Sequence, residues 1–348
     1  MARPTRLSRQ QQRIIRELIA KHDPLIREAF LEVVSNAHAA LDFAELVRLV
    51  EISDWNRIEQ LMRLNQALMF PLQDAVRTVL IAGGMSVTLP KGIRGAFGFN
   101  GDHVRAQQII AETGARLVTE IGSPGVEPIR AVILQGQQER AGSAKTARRL
   151  AGVVNPRTGV REGGILGLDG PRAHRFQQVS QGMSTPEGVQ DLVIKGRDGK
   201  LRLRYTTNVE TRNRILAAYK KGEAVPAADR ARVEKQFANK LLKERGEMIA
   251  QHETYTAQAK GRREAYTQLF DSGKVESIDK KWNHQRSKNP RPDHRRLDGV
   301  VVGFNEPFPT MDDGAQLQYA HDPAGGITHS ANCGCSVIYI PQYKRPGR

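Results

Sequence analysis

Cysteine is nearly absent from this 348-residue chain, which holds only Cys333 and Cys335, separated by Gly334. Two thiols so few and so close cannot make a disulfide framework, because such near neighbours bridge only with strain. Synthesis in a reducing compartment is therefore expected. Aromatic residues make up 5% of the chain, too few, with no interleaved basic and aromatic cluster, for a base-stacking surface. No apolar run approaches the roughly 18–20 residues that a membrane helix needs. The most apolar stretch, Ala67 to Gly84, is interrupted by Pro71, Gln73, Asp74 and Arg77 and reads as a core helix. A nucleotide-cradling G-x-x-x-x-G-K-[ST] loop is also missing, which argues against an ATPase of that kind. Gly142-Ser-Ala-Lys-Thr146 lacks its first glycine and its loop length and reads as a helix start. There is no nucleophile elbow, H-E-x-x-H helix or D-x-D loop, so the chain is expected not to be an enzyme.

Acidic residues are scarce relative to basic ones, 37 against 53, for a net charge of +16. The excess is concentrated in residues 191–300 and in an N-terminal arm carrying Arg3, Arg6, Arg9, Arg13 and Arg16 against Glu17. A field of this sign gathers polyanions, so nucleic acid and acidic protein faces are the first partners to consider. Backbone contact with double-stranded DNA would fall to Arg212, Arg214, Lys220 and Lys221, and to Arg286, Lys288, Arg291, Arg295 and Arg296. A solvated basic face is the plain alternative for each.

The hydrophobic pattern predicts an α+β fold, with a largely helical N-terminal part and a small C-terminal domain of helices on a short sheet. Over 1–85, Leu18, Ile19, Ile26, Phe30, Val33 and Val34 recur at helical spacing, and Leu46, Leu49, Val50, Ile58, Leu61, Leu64 and Leu68 continue it. Asp23-Pro24 reads as a helix restart and Gly83-Gly84 as a stop. A helical connector is expected over 86–150, including a helix from about His103 to Ile121, then a loop or hinge over 151–200. Within 201–348, helices are expected over 208–222 and from Pro226 to about Asp271. The second has a narrow apolar stripe and is expected to bend at its glycines, Gly246 and Gly261. Val300–Val302, Leu317–Tyr319 and Ser336–Ile340 are the strand candidates.

Five of the nine histidines, His252, His284, His294, His321 and His329, lie in the last third with both cysteines. Thiolates and imidazoles in a set of four suit Zn2+, and Cys333, Cys335, His294 and His329 would suffice. The alternative is that the cysteines flank a turn and pack in the core while His294 holds it by hydrogen bonds. Glu253 could act as the general base of a metal-dependent nuclease, or simply pair with a nearby arginine.

Trp282, Arg291-Pro-Asp-His-Arg-Arg-Leu-Asp-Gly299, Glu306-Pro-Phe-Pro309, Tyr319-Ala-His-Asp-Pro323 and Asn332-Cys-Gly-Cys335 follow one another in order. Together they resemble the C-terminal signature of the phage Mu F-like head morphogenesis proteins, the minor head proteins of tailed phages. His252-Glu-Thr254, Gly261, Tyr266 and Gly273 extend the resemblance upstream, so that it covers roughly residues 200–340, with Glu253, Trp282, His294, Gly299, Cys333 and Cys335 as its motif positions. The chain departs from the pattern at Gln251-His252, where the family has Arg-Thr, and at Gly334, where it has Arg. The resemblance implies a non-enzymatic, low-copy component of the virion, made in the host cytoplasm and joined to the procapsid near the portal vertex. It would act in head morphogenesis and in retention or ejection of packaged DNA, with portal, coat and scaffold proteins as partners and no membrane segment. A toxin-like nuclease and a non-specific DNA-binding protein are the competing readings.

Overall fold

The computed structural model describes residues 6–87, 97–122, 125–285 and 290–344. In chain order these form α1 (Arg6–Ala40), α2 (Phe43–Glu51), α3 (Trp55–Leu61), α4 (Phe70–Met85), α5 (Val104–Ile121), α6 (Val126–Gln138) and α7 (Ser143–Ala151). A hairpin of β1 (Val153–Val154) and β2 (Arg161–Glu162) precedes α8 (Gly170–Gly182) and α9 (Pro186–Leu192), and a second joins β3 (Val193–Lys195) to β4 (Leu201–Leu203). Then come α10 (Val209–Lys221), α11 (Ala227–Asp271), β5 (Val275–Asn283), α12 (Pro292–Arg296), β6 (Val301–Gly303), α13 (Gly326–Ser330) and β7 (Ser336–Tyr343). The fold is α+β, long helices with a small antiparallel sheet in the order β6-β5-β7. No helix among the described residues is long and apolar enough to cross a membrane.

The chain divides into two compact units. The first takes its described residues from 6–29, 71–116 and 247–344, and the second comprises 30–70 and 117–246 with residues 123–124 outside the description. In the second unit, Leu46, Leu49 and Ile58 are buried with Ile129, Val132, Ile133, Leu150, Phe176 and Val179. Several of its helices begin on side-chain caps: Asp42 accepts from Glu45 N–H, Asp54 from Arg57 N–H, Asp169 from Arg172 N–H and Asn208 from Thr211 N–H. Each satisfies a donor that the first helical turn leaves without a partner. The stretch expected as loop or hinge instead carries α8 and α9, and buries Ile165, Leu166 and Leu168. Asp169-Gly-Pro171 is the start signal behind α8, a cap followed by a first-turn proline. Arg245 crosses the unit's interior and donates to Gly167 O at 2.6 Å and Ile121 O at 2.9 Å, the latter at the end of α5.

One helix expectation needs correction. Pro24 lies inside α1 and does not restart it. The lost backbone hydrogen bond is offset by an apolar face on which Ile15, Ile26, Phe30 and Val33 are buried. Gly83 and Gly84 lie in the last turn of α4, which ends at Met85, and α11 runs on through Gly261. These glycines bring the two helices together: a Cβ on Gly83 would stand 2.6 Å from Gln258 O, and one on Gly261 would collide with Leu80 O.

In the first unit, α1 is tied to the sheet by Gln11, whose Nε2 donates to Tyr339 O at 2.8 Å and whose Oε1 accepts from Arg262 Nη2 at 2.5 Å. β5 was not foreseen, since Val-Glu-Ser-Ile-Asp-Lys-Lys-Trp-Asn is mostly polar; its buried face is Val275, Ile278, Lys280 and Trp282. Conversely, Leu317–Tyr319 is not a strand, although Phe308 N–H donates to Leu317 O at 2.9 Å. Trp282, Leu297, Phe304, Phe308, Leu317, Tyr319, Cys333, Cys335 and Tyr339 pack into one core with Tyr266 and Leu269 of α11.

Candidate metal centre

Short elements bring the centre together. The five residues of α12 follow Arg291 and place His294 under the ring of Trp282, edge to face with centroids 5.4 Å apart. Trp282 is fully buried on β5 and also packs edge to face with Phe308, centroids 5.0 Å apart. Gly299 closes the link from α12 to β6: its N–H donates to Trp282 O at 3.0 Å, and its φ of 87° lies where only glycine sits without cost. Cys333 and Cys335 occupy the turn before β7, and Cys335 N–H points at Cys333 Sγ at 3.4 Å. His329 comes from α13.

His294, His329 and both cysteines are all buried. His294 Nδ1 faces the two sulfurs, 3.5 Å from Cys333 Sγ and 3.7 Å from Cys335 Sγ. Its Nε2 lies 3.0 Å from His329 Nδ1, and His329 Nε2 lies 2.9 Å from Asp313 Oδ2. An ionised carboxylate can only accept, so the chain of donors is fixed. His329 donates from Nε2 to Asp313 and accepts at Nδ1 from His294 Nε2. The lone pair of His294 Nδ1 is thereby turned toward the thiols, which is the tautomer that a metal ligand requires. Two metal-type groupings share His294, one with Cys333 and Cys335, the other with Asp293 and His329.

The electrostatics separate the two thiols. Hydrogen bonding with Cys335, aided by His294 and His321, holds Cys333 below the usual thiol range against the opposing effect of burial. Cys335 is pushed up by its neighbour Cys333 and by burial. A first thiolate therefore forms readily in the pair and a second does not unless a cation arrives, since metal binding displaces thiol protons. Asp313 is held below the carboxylate range by the Ala315 N–H and by His329.

The remaining motif residue, Glu253, is buried on α11, and Arg116 Nη2 donates to its Oε2 at 2.5 Å. Of the residues proposed for phosphate contact, Arg212, Lys220 and Lys221 are exposed on α10. Arg214 is paired with Glu210 and Asp229, and Arg296 with Asp312. Arg291 donates to Ala331 O at 2.7 Å, and Arg295 is exposed. Arg286 and Lys288 lie outside the described residues. Sequence reading missed Asp313, which carries no spacing signal, and Lys280, a cation buried within a strand whose Nζ donates to Gln318 Oε1 at 2.9 Å.

No family profile matches the chain, and no solved structure matches it. Over 104 residues it is 33% identical to the Uncharacterized protein YqbB of Bacillus subtilis strain 168, a stretch covering 29% of this chain and 32% of that protein. The match thus spans about a third of the relative's length.

Proposed function

We propose that this chain is a minor head protein of a tailed phage or prophage, present in few copies at the portal vertex of the procapsid, whose C-terminal module is held together by Zn2+. The observation that carries the reading is convergence. Trp282, His294, Gly299, Phe308, Tyr319, Cys333 and Cys335, ordered along more than fifty residues of sequence, meet in one core. That is what a motif describing one structural module requires, and it favours the resemblance to the Mu F-like proteins over a chance run of similar residues. Cys333, Cys335 and His294, with His329 behind, are the residues that would hold the ion. Thiolate and imidazole donors buried away from solvent suit a closed structural site, which contributes folding energy, rather than an open catalytic one.

The pairing of Glu253 with Arg116 supports a structural role for that carboxylate and weighs against its use as the base of a nuclease. The exposed cations of α10 give the protein a means of contacting duplex backbone while it acts in head assembly and in retention or ejection of DNA. The test is a pull-down of the tagged chain from lysate of phage-producing cells, before and after nuclease treatment. Recovery of portal or coat protein that survives nuclease supports the proposal. Recovery of nucleic acid alone contradicts it and favours a DNA-binding protein, and strand cleavage lost on Glu253→Gln would favour the nuclease.

A further inference from the structure

The first unit holds a cavity of about 410 Å3 that neither the metal centre nor the cations of α10 explain. Two helices and a turn enclose it. Lys260, Arg263 and Glu264 line it from one face of α11, at the three-and-four spacing that makes helical residues neighbours, and Glu112 and Arg116 line it from α5. Tyr319 and Asp322 complete the wall, from the Tyr319-Ala-His-Asp-Pro323 run to which nothing above gives a task.

Three cations and three carboxylates face the cavity, so its formal charges balance, but its pairing does not. Each carboxylate is already taken up. Asp322 accepts from the N–H of Gln318 at 2.8 Å and of Ala324 at 3.1 Å. Glu264 accepts from Gln268 Nε2 at 3.1 Å and pairs with Arg105 at 3.3 Å, and Glu112 accepts from Gln108 Nε2 at 2.9 Å. Arg116 is committed to the buried Glu253. Among the described residues, Lys260 and Arg263 have no carboxylate within ion-pair distance. Lys260 Nζ donates to Thr113 Oγ1 at 2.8 Å. Arg263 lies over the rings of Phe304 and Tyr319, 4.9 and 5.6 Å from their centroids, and its contact with Phe304 O is long, at 3.4 Å. Both side chains are half-buried, and burial, with Arg116 nearby, holds Lys260 below the ordinary lysine range. A charge drawn out of water without a partner is costly, so two of them on one cavity call for an anion.

We infer that this cavity binds a phosphate dianion, inorganic or as a monoester, between the Lys260 ammonium and the Arg263 guanidinium. Two cations without carboxylates match two negative charges, which a phosphomonoester approaches near neutral pH and a single carboxylate does not. Lysine has N–H donors beyond the one given to Thr113, and the guanidinium fork suits phosphate oxygens. The volume lies in the range of small-molecule sites and leaves room for a substituent on the phosphate. Neither the head-assembly role nor the zinc centre enters into this assignment.

The test is calorimetric titration of the full chain with inorganic phosphate and with methyl phosphate, at about 150 mM salt, where loose attraction to surface cations is screened. Wild type is expected to bind both. Lys260→Gln and Arg263→Gln should each weaken binding about 10-fold or more, the loss that goes with a hydrogen bond to a charged group, and Lys260→Arg should largely keep it. Lys220→Ala with Lys221→Ala, which removes exposed cations of the other unit, should leave the affinity unchanged. Tighter binding of methyl phosphate identifies an esterified ligand, and tighter binding of inorganic phosphate a free one. If Lys260→Gln does not fold, acetylation of wild type followed by mass spectrometry decides: phosphate should slow the labelling of Lys260 but not of Lys220, and an unchanged rate at Lys260 overturns the proposal. Wild type that binds neither ligand, an affinity untouched by both single variants, or an equal loss in the Lys220 and Lys221 variant also overturns it.

Discussion

His294 and His329 share a hydrogen bond, Nε2 to Nδ1 at 3.0 Å, with ring centroids 5.3 Å apart. Asp313 anchors the far end of the pair. One exposed carboxylate thereby sets the tautomer of a fully buried imidazole two residues away in the chain of hydrogen bonds, and with it the direction of the lone pair facing Cys333 and Cys335. The arrangement divides labour that the amino-acid types alone leave undivided: both residues are histidines, yet one faces sulfur and the other faces acid.

Lys280 is buried in β5 beside Phe308, and burial, reinforced by Arg263, lowers its pKa to about 7. Between that value and the ordinary lysine value the unfolded chain binds more protons than the folded one, so stability rises with pH through the window. Lys280→Met should raise the thermal midpoint at pH 7 by an amount worth about 2–4 kcal/mol at most, and the advantage should shrink toward pH 10. Thermal unfolding of both proteins across that range checks it; a variant less stable at every pH contradicts it.

Gly261→Ala should destabilise by about 3 kcal/mol or more, because the new methyl meets the backbone carbonyl of Leu80, which cannot move aside. An exposed helical glycine would instead gain about 1 kcal/mol. Gly114→Ala in α5 meets only the flexible Gln73 side chain and serves as the control, with a small change of either sign. Equal midpoints for the two variants in denaturant would refute the close crossing of α4 and α11.

His38 in the second unit is buried, and that burial lowers its pKa to about 4. The unfolded chain takes up the proton first, near the ordinary histidine value, so stability is full above about pH 6.5 and is lost as pH falls toward 4. The loss attributable to this residue is about 3 kcal/mol. Wild type should therefore lose ground against His38→Gln over that window, and a difference independent of pH would rule the account out.

The exposed cations Arg212, Lys220 and Lys221 should contribute to duplex binding by charge alone. Affinity should drop by orders of magnitude between about 50 and 200 mM salt, and Lys220→Ala with Lys221→Ala should reduce the slope of log affinity against log salt by about 2. Indifference to salt removes this role.

Much of the fold was readable where periodicity is strong. The stripe through Phe237, Leu241 and Ile249 marked α11, and the branched residues of Ser336–Ile340 marked β7. β5 was hidden because a lysine occupies one of its buried positions, which breaks the apolar alternation that identifies a half-buried strand. The region from 151 to 200 looked like loop because glycine and proline dominate its first part, while its helix caps, Asp169 and Thr185, are short signals easily outweighed. Pro24 misled for the opposite reason: a strong local preference was overridden by burial along α1.

At the candidate centre, composition brought forward the two cysteines and His294, since thiol and imidazole types carry their chemistry with them. Sequence could not say which nitrogen of which histidine faces the sulfurs. That depends on α12 and α13 meeting in space beside the two cysteines, and on Asp313, an acid with no motif around it.

The most direct measurement is quantitative mass spectrometry of gradient-purified particles from phage-producing cells, treated with nuclease before banding. The account predicts peptides of this chain in the particles at a few copies relative to coat protein, in proportion to portal. Their absence from particles that contain portal and coat would contradict it.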